Sequence, residues 1–166
     1  MILVVVCTIF IACGFISGLL FLAQGPQYAQ SSNVNADIIL TFTKKYTHHR
    51  ILDLGSGDGK LILLLARQGF KVDGVELNPW LVLKSRRALA KAGLTNTTHI
   101  YWGNFWRYNV TPYDLVVVFA IKHVMPRLEE KVLKETRSGT YIISNFFEFT
   151  TLKKVDQQDD IKVYQV

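Results

Sequence analysis

The chain has 166 residues, with 19 Lys and Arg against 13 Asp and Glu, four His and two Cys. That length accommodates one globular domain, yet no Asp, Glu, Lys or Arg occurs from Met1 to Ala36, so the net charge of +6 falls wholly on residues 37–166. A disordered polyelectrolyte and a disulfide scaffold are both excluded, because 49% of the chain is hydrophobic and its cysteines, Cys7 and Cys13, lie inside the apolar head.

Residues 1–23, MILVVVCTIFIACGFISGLLFLA, contain only Thr8 and Ser17 as strongly polar side chains. As a helix they would rise about 35 Å, enough to cross a hydrocarbon core of about 30 Å. A cleavable signal peptide is the competing reading, and Ala23-Gln24-Gly25 resembles a small-residue cleavage site. The missing basic n-region and an apolar run longer than the usual ~7–15 residues favour a transmembrane anchor. Lys44, Lys45 and Arg50, with His48 and His49, follow the span, and the positive-inside bias then keeps the folded part on the cytoplasmic or mitochondrial matrix side. Residues 24–35, with Gly25-Pro26 and Ser31-Ser32, read as a connector.

From residue 36 onward, strands and helices alternate. Asn35 is placed to cap a helix over 36–47, where Ile38, Phe42 and Tyr46 share one face. Arg50–Leu54 reads as a short buried strand, residues 60–68 as a helix stopped by Gly69, and Phe70–Glu76 as a second strand. Asn78 as cap and Pro79 in the first turn open a helix to Ala92, closed by Gly93. Thr98–Trp102 is a third strand, and the continuous apolar run of Tyr113–Phe119 suits the centre of a parallel sheet. A helix from Pro126 to about Thr136 presents Met125, Leu128 and Val132, and a fifth strand runs from Gly139 to Asn145. Residues 146–166 are too few for a further helix and two strands, and predict a hairpin turning near Asp156–Asp160. The alternation implies an α/β, doubly wound, mostly parallel sheet of Rossmann-like type with an antiparallel edge.

The chemistry concentrates in Asp53-Leu-Gly55-Ser-Gly57-Asp-Gly59, between a strand and a helix, with Glu76 ending the next strand. Glycines there let a ligand approach the backbone, and a carboxylate at that strand end can take both hydroxyls of a ribose. A dinucleotide site wants G-x-G-x-x-G and a helix N-terminus for its pyrophosphate. Here the spacing is G-x-G-x-G with the acids Asp53 and Asp58, which serve an anion poorly and a cofactor bearing an ammonium and a sulfonium well. That pattern points to S-adenosyl-L-methionine as the expected cofactor.

D-x-G-x-G-x-G followed by a strand-ending Glu resembles the class I methyltransferases. More specifically, LDLGSGDGK, VELNPWLV, GNFW and MPRLEEKVL resemble a membrane-associated protein-lysine methyltransferase family, whose eukaryotic members methylate the ATP synthase c-subunit and the adenine nucleotide translocase. The resemblance implies Gly55, Gly57 and Asp58 around the methionine part of the cofactor, Asp53 organising the loop and Glu76 holding the ribose. It places Asn104 where class I enzymes often carry an Asp facing the adenine amino group, with Phe105 or Leu77 as the side chain stacking on the adenine. Asn78-Pro79-Trp80 follows the second strand, not the fourth, and so reads as a helix cap and not as the N-P-P-Y-type motif that meets a nitrogen acceptor.

A lysine acceptor must lose its proton, from a free pKa near ~10.4, and desolvation among aromatic rings promotes that loss. Tyr28, Trp80, Trp106, Phe119 and Phe146 are the candidate walls, and Tyr28, Trp106 and His123 the candidate catalytic residues. Core packing is an equal reading for each. His48-His49 reads as a basic surface pair, and no metal site is expected. Basic residues are dispersed, with Arg127, Lys131 and Lys134 alternating with Glu129, Glu130 and Glu135 as helical ion pairs, so nucleic acid is not the expected partner. The expected partners are a lysine-bearing membrane protein and the bilayer. A methyltransferase acting on a small molecule or lipid such as a quinone precursor is the alternative, and a non-catalytic cofactor-fold protein is a third reading.

Overall fold

The computed structural model describes residues 33–46 and 50–166. The expected transmembrane helix 1–23, the greater part of the connector, Tyr28 and His48-His49 lie outside the described residues. Among the described residues no helix is long and apolar enough to cross a membrane.

In chain order the elements are α1 (Asn33–Tyr46), β1 (Arg50–Leu54), α2 (Lys60–Arg67), β2 (Lys71–Glu76), α3 (Pro79–Lys91), β3 (His99–Trp102), β4 (Leu115–Val118), α4 (Met125–Glu135), β5 (Tyr141–Asn145), β6 (Lys153–Gln158) and β7 (Ile161–Gln165). Single 3-10 turns at Phe105–Arg107 and Lys122–Val124 follow β3 and β4. The strands form one seven-stranded sheet in the order β3-β2-β1-β4-β5-β7-β6. The first five strands are parallel, β7 is antiparallel to β5, and β6 is antiparallel to β7. The chain winds outward in both directions from β1, so the crevice at the carboxyl ends of β1, β2 and β4 is the topological switch point where open α/β sheets bind ligands.

Strand alternation sorts the core into two layers. Ile51, Val72, Ile100, Leu115, Val117 and Ile143 face α1, α2 and α3, which contribute Ile38, Phe42, Leu61, Leu65, Val82 and Leu89. Leu52, Val75, Val116, Val118, Ile142 and Tyr164 face Met125, Leu128 and Val132 of α4. Among the described residues that second layer has one helix where the first has three, and non-helical segments complete it through Val110, Tyr113, Phe149 and Leu152. All four residues of β4 are buried, as a central parallel strand covered on both faces requires.

Three local expectations are corrected. Asn35 is not the cap of α1; it lies inside a helix that already includes Asn33, and its Nδ2 donates to Asn145 Oδ1 of β5 at 3.1 Å. Tyr113 and Phe119 fall outside β4, because Tyr113 turns its hydroxyl onto Asp73 (2.8 Å) and so closes the loop before the strand. Glu129 is not a surface ion-pair partner of α4. It is buried and accepts hydrogen bonds from Thr150 Oγ1 (2.7 Å), Thr151 N (2.6 Å), Thr151 Oγ1 (2.9 Å) and Leu152 N (3.1 Å). Burial opposes its charge, but those donors outweigh it and hold the carboxyl down at about 2. The expected pairing within α4 holds for Lys131 and Glu135, at 2.6 Å. The final hairpin turns at Asp159-Asp160, within the expected stretch.

Candidate functional site

β1 ends at Leu54, and the glycine loop hooks back onto β2. Gly55 N and Ser56 N both donate to Val75 O, at 2.9 and 3.1 Å, and Gly59 N donates to Ser56 O at 3.0 Å. The loop glycines have different duties. Gly55 has φ +81° and nothing within 4 Å of where a Cβ would stand, so its outer side is open. Gly59, at φ +77°, caps α2 and is packed so tightly that a Cβ would lie 2.8 Å from Ser85 Cβ. It serves the contact between α2 and α3, whose Ser85 Oγ also donates to Gly57 O at 3.0 Å.

Glu76 closes the opposite wall. Its Oε2 accepts from Gly57 N (2.9 Å) and its Oε1 from Asn78 N (2.8 Å). A carboxylate offers about four acceptor positions, so these two bonds fix its plane and leave each oxygen a second lone pair for a ligand hydroxyl. Asp53 lies beneath. It is 3% exposed, paired in register with Gly74 of β2, and its Oδ1 is buried with no hydrogen-bond partner among the described residues. Burial, with the charge of Glu76 added, pushes its carboxyl up to about 7. Among the described residues no cation pairs with this carboxylate. The residues therefore fit a cofactor with a cationic end and a sugar diol, with an open approach at Gly55.

Asp58, expected beside that cationic end, has a committed carboxylate: Lys84 Nζ donates to it at 2.9 Å and Lys60 Nζ lies 3.9 Å away. It links the loop to α2 and α3. Leu77 is exposed at the end of β2, next to Asn78, whose Oδ1 caps α3 at Trp80 N (3.0 Å) as the sequence predicts. Asn104 Oδ1 likewise caps the 3-10 turn at Trp106 N (3.0 Å). Phe105 is half-buried against the α4 layer, its ring centroid 4.6 Å from that of Trp106. Trp106 in turn lies under the Arg127 guanidinium at 4.3 Å, which turns one ring face onto a cation. Phe119 packs against the α1–α3 layer and His123 is exposed in the 3-10 turn after β4. Trp80 and Phe146 are 66% and 61% exposed.

Gly74 and Ser85, absent from the expected site, shape it from behind. A Cβ on Gly74 would overlap Ile62 Cδ1 and come within 2.7 Å of Ser56 Oγ, so any side chain there pushes Ile62 and the loop's Ser56 aside. A glycine in the interior of a strand was the available signal, since it marks close backbone approach.

Residues 53–156 match the family model of the ANTKMT methyltransferase domain. The chain is 37% identical over 99 residues to the ATP synthase c-subunit lysine N-methyltransferase of mouse, a match taking in 60% of this chain and 40% of that protein. It is 32% identical over 107 residues to mouse adenine nucleotide translocase lysine N-methyltransferase, covering 64% of this chain and 47% of the relative. The chain thus spans about half the length, or less, of these curated relatives. Among solved structures, the fold is similar to an RNA methyltransferase from Salinibacter ruber in complex with S-adenosyl-L-homocysteine, with a TM-score of 0.75, 23% identity, and coverage of 82% of this chain and 92% of that one. Glycine loop, strand-ending glutamate and matched segment coincide, and the chain belongs to the ANTKMT methyltransferase domain family.

Proposed function

We propose that the chain binds S-adenosyl-L-methionine and methylates a lysine side chain of a membrane protein. In this reading residues 1–23 anchor it in the bilayer, residues 24–35 connect, and residues 36–166 form the methyltransferase domain on the cytoplasmic or matrix side. The observation that carries the cofactor assignment is the carboxylate pair at the switch point: Glu76 held flat by two backbone N–H groups, and Asp53 buried with an unpartnered oxygen. The lysine assignment is supported by the names of the relatives, and the anchor by the uncharged first 36 residues.

When bound, the cofactor supplies an electrophilic methyl group on a sulfonium. Glu76 would hold the ribose diol with its remaining lone pairs, and Asp53 would compensate the positive end. Gly55 leaves the backbone low enough for both contacts. Leu77 or Phe105, together with Asn104, would hold the adenine. A lysine amine entering here leaves water for the neighbourhood of Phe105 and Trp106. That desolvation favours its neutral form, which alone has the lone pair that attacks. Most of the catalysis then comes from alignment of nucleophile, carbon and sulfur.

Incubation with isotopically labelled cofactor and isolated membranes tests this reading. Wild type places label in a protein band, and E76A and G57R do not. Label in the lipid extract instead supports the small-molecule alternative, and cofactor binding without label in either fraction overturns the enzyme reading.

A further inference from the structure

Helix α3 has two faces of opposite character. Val82 and Leu89 are buried in the core, and Ser85 is buried against the glycine loop. Outward, at i, i+3, i+4, i+7 and i+11, it presents Trp80, Leu83, Lys84, Arg87 and Lys91, which line a shallow groove with Ala88. Trp80 and Leu83 are 66% and 38% exposed. The helix PWLVLKSRRALAK contains four basic residues and no acid. Asp58 neutralises Lys84, and Arg86 is turned onto Ile100 O, but among the described residues no carboxylate pairs with Arg87 or Lys91. Beyond the start of α3, Trp102 adds another exposed ring, 67% accessible, its Nε1 donating to Leu77 O at 3.0 Å.

An exposed tryptophan and leucine in line with unpaired cations is an unstable surface in water and a stable one at a lipid interface. There the indole sits at headgroup depth, the leucine reaches the acyl boundary, and long basic side chains extend to phosphates. We infer that the outer face of α3, from Trp80 to Lys91, lies on an anionic lipid surface. The stripe is about 16 Å long at 1.5 Å per residue, which sets the helix along the membrane plane. Since the cap of α3, Asn78, follows Glu76 by two residues, this contact brings the Glu76 crevice to headgroup level, where a lysine leaving a membrane-embedded partner would lie. The inference rests on the proposed membrane location and goes beyond it, because an N-terminal span on a connector fixes proximity without fixing orientation.

The full chain is reconstituted in vesicles of phosphatidylcholine brominated high on the acyl chains, with or without phosphatidylglycerol, and tryptophan quenching is read. Quenching appears with the anionic lipid in wild type, persists in W102F and is largely lost in W80F. R87E/K91E requires more phosphatidylglycerol for the same quenching, because each basic residue near an anionic surface is worth about a five-fold change in partitioning. Quenching that is equal in wild type and W80F, or unaltered in R87E/K91E, overturns the inference. So does a Trp80 that stays unquenched in vesicles and becomes shielded only when a membrane-protein substrate is added, which would make the face a protein-docking surface. Alkaline extraction reads the anchor separately: protein that washes off refutes the span at residues 1–23, whereas retained protein with an unquenched Trp80 refutes only the orientation.

Discussion

Asp53→Asn separates the stability of this domain from its cofactor chemistry. Asn keeps the shape of the side chain and removes a charge that is 3% exposed and lacks a partner at Oδ1 among the described residues. The folded carboxyl titrates at about 7, against 3.8 in its ordinary state, because burial and then the charge of Glu76 disfavour ionisation. At about 1.36 kcal/mol per pH unit that rise amounts to about 4 kcal/mol. Because the folded state keeps its proton to higher pH, the cost is absent below 3.8, grows up to about 7 and is complete above it. D53N therefore melts higher than wild type at pH about 8 and converges with it only as pH falls toward 3.8. A buried amide also wants hydrogen bonds, so the recovered stability is about 2–4 kcal/mol, or about 10 °C at roughly 3–4 °C per kcal/mol. Cofactor affinity moves the other way, by ten-fold or more, since a charge-assisted contact is worth about 1.5–3 kcal/mol. Thermal melts over this pH range, with and without cofactor, check both effects. A variant no more stable than wild type at pH about 8, or one that binds cofactor equally well, refutes the assignment of Asp53 as a charge awaiting a cation.

Other perturbations probe the parts that hold this site. E129Q removes a carboxylate whose hydrogen bonds hold its pKa at about 2 against 4.5, a difference of about 3 kcal/mol that is present above 4.5 and lost as pH falls toward 2. Its urea midpoint should lie below that of wild type at pH about 7, with a gap that closes on acidification. G74A and G55A should separate by mechanism. G74A forces Ile62 and Ser56 aside and loses about 1–3 kcal/mol of stability through overpacking, read in thermal melts. G55A meets no atom within 4 Å and costs only the strain of a left-handed backbone, about 1–2 kcal/mol, but narrows the open side of the loop, so calorimetry should show the larger proportional loss in cofactor affinity.

Much of this architecture is legible in the sequence because it depends on short-range pattern. The runs at Arg50–Leu54 and Tyr113–Phe119 announce buried strands, the second longer than the Leu115–Val118 the structure forms, and Asn78-Pro79 announces a helix start that the structure reproduces, with Asn78 Oδ1 on Trp80 N. The glycine loop and Glu76 are likewise readable, since φ values near +80° and a strand-ending carboxylate leave marks in residue type. The duties of individual acids are not readable. The sequence reading puts Asp58 beside the cofactor and Asp53 in the loop's framework, yet Asp58 is held by Lys84, 26 positions away, and Asp53 Oδ1 by nothing among the described residues. Glu129 sits at the helical spacing of an ion-pair partner, but rotation about α4 turns it onto Thr150–Leu152.

What the sequence alone determined, then, is the set of elements, the parallel character of the sheet and the place of the glycine loop, all consequences of hydrophobic period and of the few residues that tolerate positive φ or cap a helix. The family follows from the same residues. Only the tertiary structure decided the strand order β5-β7-β6, the single-helix covering of the α4 layer and the outward turn of Trp80, Leu83, Arg87 and Lys91. Each depends on which side chains find partners across the fold. Those pairings are set by packing and charge over distances that local pattern does not encode.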